Sequence, residues 1–126
     1  GLGAYGLQAA IAECHTVAPS VEGTDWERIV VLYEALGRLA PSPVVALNRA
    51  VAVSMVQGPA AGLRAVEELD GGGRLTGSHL LPGVRGELLR RLGRTDEARS
   101  ELAQAVRLCT NDRERAALEC TLRELA

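Results

Sequence analysis

Apolar residues recur three and four positions apart along nearly the whole chain, and proline or glycine interrupts the pattern at regular intervals. That period belongs to amphipathic helices, and no stretch alternates strictly enough to require a strand. The first helix is predicted from Ala4 to Ala18, with Leu7, Ala10, Ile11, Cys14 and Val17 on one side and Pro19-Ser20 as its stop. Thr24-Asp25-Trp26-Glu27 has the form of a capping box, in which the Thr24 hydroxyl would accept from the Glu27 amide. It opens a second helix to about Ala40, with Ile29, Leu32, Tyr33, Leu36 and Leu39 on one face. After Pro41, Ser42 is placed to cap a third helix with Pro43 at its first position. This third helix, Pro43 to Gln57, is apolar on almost every side and so belongs at the centre of the molecule.

Gly58-Pro59 stops that helix and starts a fourth, which runs to about Leu69 on a stripe of Leu63, Val66 and Leu69. Asp70-Gly71-Gly72-Gly73 reads as a loop. A fifth helix is weakened by Pro82, Gly83 and Gly86, so only its second half, Glu87 to Leu92, is firmly patterned. Gly93 closes it. Thr95 is placed to cap a sixth helix carrying Ala98, Leu102, Ala105, Val106 and Cys109. Asn111, with Glu114 three residues on, opens a seventh with Leu118, Leu122 and Leu125. The fold class expected is all-α: about seven short helices packed as antiparallel hairpins in one domain, residues 1–126.

Composition narrows the function classes. The chain has 126 residues, 47% hydrophobic and 24% charged, with 14 basic residues, all arginine, against 16 acids. Such a balance, with both signs interspersed, argues against a DNA-binding stripe or a polybasic membrane patch. Aromatic residues are 2% with no Phe, which removes the stacking platforms that single-stranded nucleic acids require. No apolar run is long enough to span a bilayer. Cys14, Cys109 and Cys120 form no C-x-x-C pair and read as reduced thiols packed as small hydrophobes, which places the chain in the cytoplasm. It begins with Gly rather than Met, which reads as a piece of a longer protein.

The segment from Gly86 to Ala105 carries a further signal. Gly86 is followed by Gly93, Ala98, Leu102 and Ala105 at offsets of 7, 12, 16 and 19. Those are tetratricopeptide-like spacings, in which small residues let two antiparallel helices approach closely. Trp26, Tyr33 and Gly37 match first-helix positions of a second copy, and Asn48, Gly58 and Leu63 form a looser third.

A larger resemblance covers essentially the whole chain. It is carried by Tyr5-Gly6-Leu7-Gln8-Ala9-Ala10-Ile11-Ala12-Glu13-Cys14-His15, by Thr24-Asp25-Trp26 and Leu32-Tyr33, and by Gly58-Pro59. Its most specific block is Pro41-Ser42-Pro43-Val44-Val45-Ala46-Leu47-Asn48-Arg49-Ala50-Val51-Ala52-Val53. The chain resembles the C-terminal extension of bacterial extracytoplasmic-function (ECF) RNA polymerase sigma factors that carry a tetratricopeptide-like domain behind the two sigma regions. It departs from that pattern at Gly6, where the family usually has Gln, at Ser78, where an aromatic is common, and at Pro82-Gly83. The resemblance implies a regulatory, protein-binding domain of a transcription initiation factor, with the sigma regions upstream of Gly1. Its partners would be those regions in cis, RNA polymerase or a regulatory protein, with no direct DNA contact and no membrane. A free-standing peptide-binding scaffold and a small-molecule sensor with a pocket near Asn48 and Arg49 are the alternatives.

Candidate sites are few. Asn48-Arg49 is the polar spot on the most apolar helix, and a buried guanidinium there needs a carboxylate. Asp25 is the first choice, with Glu27 and Glu34 as others, making an internal polar lock or the lining of a groove. His15 follows Cys14, but neighbouring helical residues point about 100° apart and cannot act as a pair; His15 reads as a cap for helix-end carbonyls. The six arginines from Arg85 to Arg107 stand among Glu87, Asp96, Glu97 and Glu101, as on a solvated mixed-charge face. No spacing suggests a metal site, a cofactor or a nucleophile with its base, so a non-enzymatic role is expected.

Overall fold

The computed structural model describes residues 3–17, 24–70 and 77–125. Among them are seven helices: α1 (Ala4–Val17), α2 (Trp26–Leu39), α3 (Pro43–Gln57), α4 (Pro59–Asp70), α5 (Leu80–Arg91), α6 (Thr95–Leu108) and α7 (Asp112–Glu124). Each packs against the next in the chain, most extensively α3 on α4 and α5 on α6. The chain is therefore an all-α stack of helical hairpins, with no strand among the described residues. No helix there is long and apolar enough to cross a membrane. Residues 71–73 of the glycine loop lie outside the described residues.

α3 is the middle of the stack because it serves two cores. Leu47 and Ala50 join Leu63, Val66, Leu81, Leu88, Leu89 and Ala98 in one cluster. Ala52 joins Leu7, Ile11, Cys14, Ile29 and Leu36 in the other, with Val45 packed against it. At 100° per residue, 47 and 50 lie on roughly the opposite side from 45 and 52. Two buried stripes on one helix explain why its sequence shows no polar face. Its remaining surface is nevertheless open: Val44 is 41% exposed, and Asn48 and Val56 face outward too.

The helix ends correct two sequence expectations and match two others. α2 is capped by Asp25, whose carboxylate accepts from the Arg28 amide at 3.1 Å, and not by a Thr24–Glu27 box. The helix begins one residue later than that box requires, at Trp26, and the Asp25 carboxylate is then the acceptor within reach of the first free amides. Ser42 caps α3 by accepting from the amides of Val44 and Val45, with Pro43 in the first turn. α6 includes Thr95 as its first residue; Arg94 holds the cap position without a side-chain cap bond and pairs with Glu97 instead. Asn111 caps α7 through the Glu114 amide at 2.9 Å.

α5 is helical along its full length, against the expectation of a half-formed element. Pro82 is its third residue, where the missing N–H costs no intrahelical bond. Gly86 faces α6 so closely that a Cβ there would lie 2.7 Å from Leu102 Cγ. Ala98, Leu102 and Ala105 are buried on the α6 side, and Gly93 turns the chain at φ 79°. The tetratricopeptide-like spacing thus coincides with the tightest helix–helix approach at its own hairpin.

The second copy is not in phase. α3 lies beside α5 and so takes the first-helix position, which leaves α2 as a second helix. Gly37 sits inside α2 with open space where its Cβ would be, so it neither turns the chain nor admits a neighbour. Trp26 and Tyr33 are half-buried against the α1–α2 cluster. In the α3–α4 hairpin the close approach falls instead on Gly62, where a Cβ would meet Ser54 Cβ at 2.5 Å.

Candidate functional site

The polar spot on α3 is not a buried lock. Arg49 leaves the core side of α3 and its Nη2 bonds Glu34 Oε1 at 3.1 Å, with the two side chains 41% and 40% exposed. Asp25, the favoured partner, is occupied as the exposed cap of α2, and Asn48 is exposed. The reason is geometric: Arg49 stands opposite the third turn of α2, where Glu34 lies, and Asp25 is more than two turns away along the axis. The side chain of His15 lies outside the described residues. The Arg49–Glu34 pair separates two open clefts. One, of about 410 Å³, is lined by Tyr33, Gly37, Arg38, Pro41, Ser42, Val45 and Ala46. Partial burial pushes the Tyr33 phenol above its ordinary pKa. The other, of about 240 Å³, opens towards α4.

A different arrangement forms between α3 and α5. Val51 and Ser54 face Gly83, Val84, Glu87, Leu88 and Arg91 across a trough of about 240 Å³. The floor is apolar. One end is closed by Arg91, whose Nη1 donates to Ser54 Oγ at 3.0 Å and whose Nη2 donates to the Ser54 carbonyl at 3.3 Å. That carbonyl belongs to the last turn of α3, so the guanidinium sits where the helix dipole favours a cation. Ser54 is the one buried polar residue of the described core, and its hydroxyl also donates to the Val51 carbonyl at 2.6 Å. Helical spacing places Val44 and Asn48 on the same face of α3 as Val51, and Leu80 on the same face of α5 as Val84 and Arg91. The exposed apolar side chains of Val44 and Leu80, the latter 37% exposed, therefore extend the trough.

Around this face the charges are paired locally. Arg90 with Glu87, Arg94 with Glu97 and Arg99 with Asp96 are three residues apart on their own helices, and Arg85 reaches Glu101 across the hairpin at 3.5 Å. This is a mixed-charge surface, with no arginine stripe among the described residues.

A third grouping escapes any reading by sequence spacing. His79, Cys109 and Glu114 meet where α5 begins, α6 ends and α7 begins, with one donor atom of each within 4.8 Å of the others. Cys14 is buried in the core as a small hydrophobe, but Cys120 is exposed, contrary to the expectation for all three thiols. Ser54, Gly62 and Arg91 were likewise missed; only the small residues Ser54 and Gly62 on facing helices carried a signal, as potential points of close approach.

No family model matches the chain. Over 124 residues it is 52% identical to an uncharacterized protein of Rhizobium meliloti (strain 1021). That match covers 98% of this chain but only 29% of the relative's length.

Proposed function

We propose that this chain is a regulatory protein-interaction domain of an ECF-type sigma factor, acting through the face formed by α3 and α5. The observation that carries the interaction role is the trough between those helices. It offers an apolar floor of Val51, Val84 and Leu88, exposed apolar shoulders at Val44 and Leu80, and Asn48, Glu87 and Arg91 for polar contacts. A partner's apolar side chain seated there would be held by area removed from water, and the polar rim would set its direction. The sigma context rests on the sequence resemblance, most of all the block from Pro41 to Val53. The match to part of a longer relative is compatible with it. The partner in this reading is a sigma region in cis, RNA polymerase or a regulatory protein. Docking in one state and not another would shift the fraction of promoter-competent factor.

Promoter-dependent transcription tests the proposal. The full-length factor is compared with one truncated just before Gly1 and with a Leu80→Asp/Val84→Asp variant of unchanged helicity. Both changes should alter transcription in the same direction. Unchanged transcription on truncation overturns the regulatory role, and an effect of truncation without an effect of the variant moves the contact away from the trough.

A small-molecule site is the second reading, favoured by the 410 Å³ cleft where Arg38, Arg49 and Tyr33 converge. A ligand-dependent rise in melting temperature that Arg49→Ala abolishes would select it.

A further inference from the structure

We propose that His79, Cys109 and Glu114 bind a single divalent ion of the zinc class, which ties α7 to the α5–α6 hairpin. His79 Nε2 lies 2.8 Å from Glu114 Oε2, and Cys109 Sγ lies 4.0 Å from the same oxygen. In a tetrahedral zinc site with bond lengths near 2.0–2.3 Å, neighbouring donors are about 3.3–3.6 Å apart. The two separations to Glu114 Oε2 straddle that range, and Cys109 Sγ and the His79 ring lie within 4.8 Å of each other. Glu114 is the partner in both short contacts, and its side chain is 53% exposed, with room to shift onto an ion. Imidazole, thiolate and carboxylate are together the donor set of a borderline ion, rather than the all-oxygen shell of calcium or magnesium. A thiolate and a carboxylate also balance the two positive charges, and water would take the fourth position.

The surroundings hold the donors in place. Cys109 is 2% exposed; without the ion its thiol donates to the Asn111 carbonyl at 3.3 Å, a bond that metal binding exchanges for the one to the ion. Arg115 Nη2 donates to the Cys109 carbonyl at 2.7 Å, while Asn111 caps the helix that carries Glu114. On binding, the ion would displace the thiol proton and any proton on His79 Nε2, both of which pass to solvent.

A second observation gives the site a purpose. α7 has no buried residue: Leu118, Leu122 and Leu125 are only half-covered. Apolar packing therefore holds this helix less firmly than its neighbours, and a bond linking its first turn to the ends of α5 and α6 acts where that packing is thinnest.

Cobalt(II), which reports its ligands optically, and zinc(II) are titrated under reducing conditions into the chelator-treated full chain. The expected result is a near-ultraviolet thiolate-to-cobalt charge-transfer band saturating at one equivalent and bleached by zinc, with slowed amide exchange across α7. Cys109→Ser should abolish the band, and Cys120→Ser should keep it. Should Cys109→Ser fail to fold, His79→Gln and Glu114→Gln each remove one donor at partly exposed positions, and each should lose saturation at one equivalent. No band with the wild-type chain, loss of the band in Cys120→Ser, or its survival in all three ligand variants overturns the proposal.

Discussion

A single glycine decides how closely α5 and α6 approach. At Gly86 a methyl group would press on Leu102 Cγ at 2.7 Å, so α5 and α6 would have to separate. Gly86→Ala should lower stability by about 1–3 kcal/mol, the usual cost of overpacking, as read from chemical denaturation. At Gly37 the same substitution meets open space inside a helix and should raise stability by about 0.5–1 kcal/mol. Opposite signs from one change at two glycines separate a packing glycine from an incidental one. Arg49 makes the same point for charge. A buried lock would cost several kcal/mol to break, but a pair this exposed is screened by water. Arg49→Ala should therefore cost no more than about 1 kcal/mol. Only the matching of helix ends in space, which brings Glu34 and not Asp25 to Arg49, distinguishes those outcomes.

At the scale of elements, the helices are unequal. α3 is clasped by α2, α4 and α5, whereas α7 meets α6 and buries nothing completely. Without added metal, amides of α7 should exchange with solvent well before those of α3 and α5, as hydrogen exchange followed by mass spectrometry would show. Asn111→Ala removes the side-chain acceptor for the Glu114 amide and should cost about 1 kcal/mol, concentrated in faster exchange of α7. A uniform loss of protection over all helices would instead mean that the stack opens as one unit. α5 carries a converse lesson. Glycine and proline lower its intrinsic propensity, yet Pro82 falls in the first turn and Gly86 admits Leu102 of α6 at close range, so tertiary packing supports the weak sequence.

For the whole molecule, charge is balanced, with 14 basic residues against 16 acids. Around α5 and α6, Arg90, Arg94 and Arg99 each pair with an acid three residues away, and among the described residues there no arginine stripe stands ready for successive phosphates. The isolated chain should show no sequence-dependent DNA binding in fluorescence anisotropy at physiological salt. Tight, sequence-dependent binding would redirect attention to the segment from Arg85 to Arg107.

Among the described residues, the number of helices, their order and most of their limits were legible in the sequence, because they follow from period, caps and breakers, which are local. The position of α3 at the centre was legible too, since a helix with two apolar stripes has nowhere else to go. The trough and the junction of His79, Cys109 and Glu114 were not. Thirty residues separate His79 from Cys109, and Arg91 finds Ser54 across 37 positions of chain. The partner of Arg49 was open among three acids until the register of α2 against α3 selected Glu34. Periodicity specifies which face of a helix is buried, but not how far one helix slides along another. That slide is set by side-chain volumes at the crossings, here Gly62 on Ser54 and Gly86 on Leu102, and only the packed structure contains it.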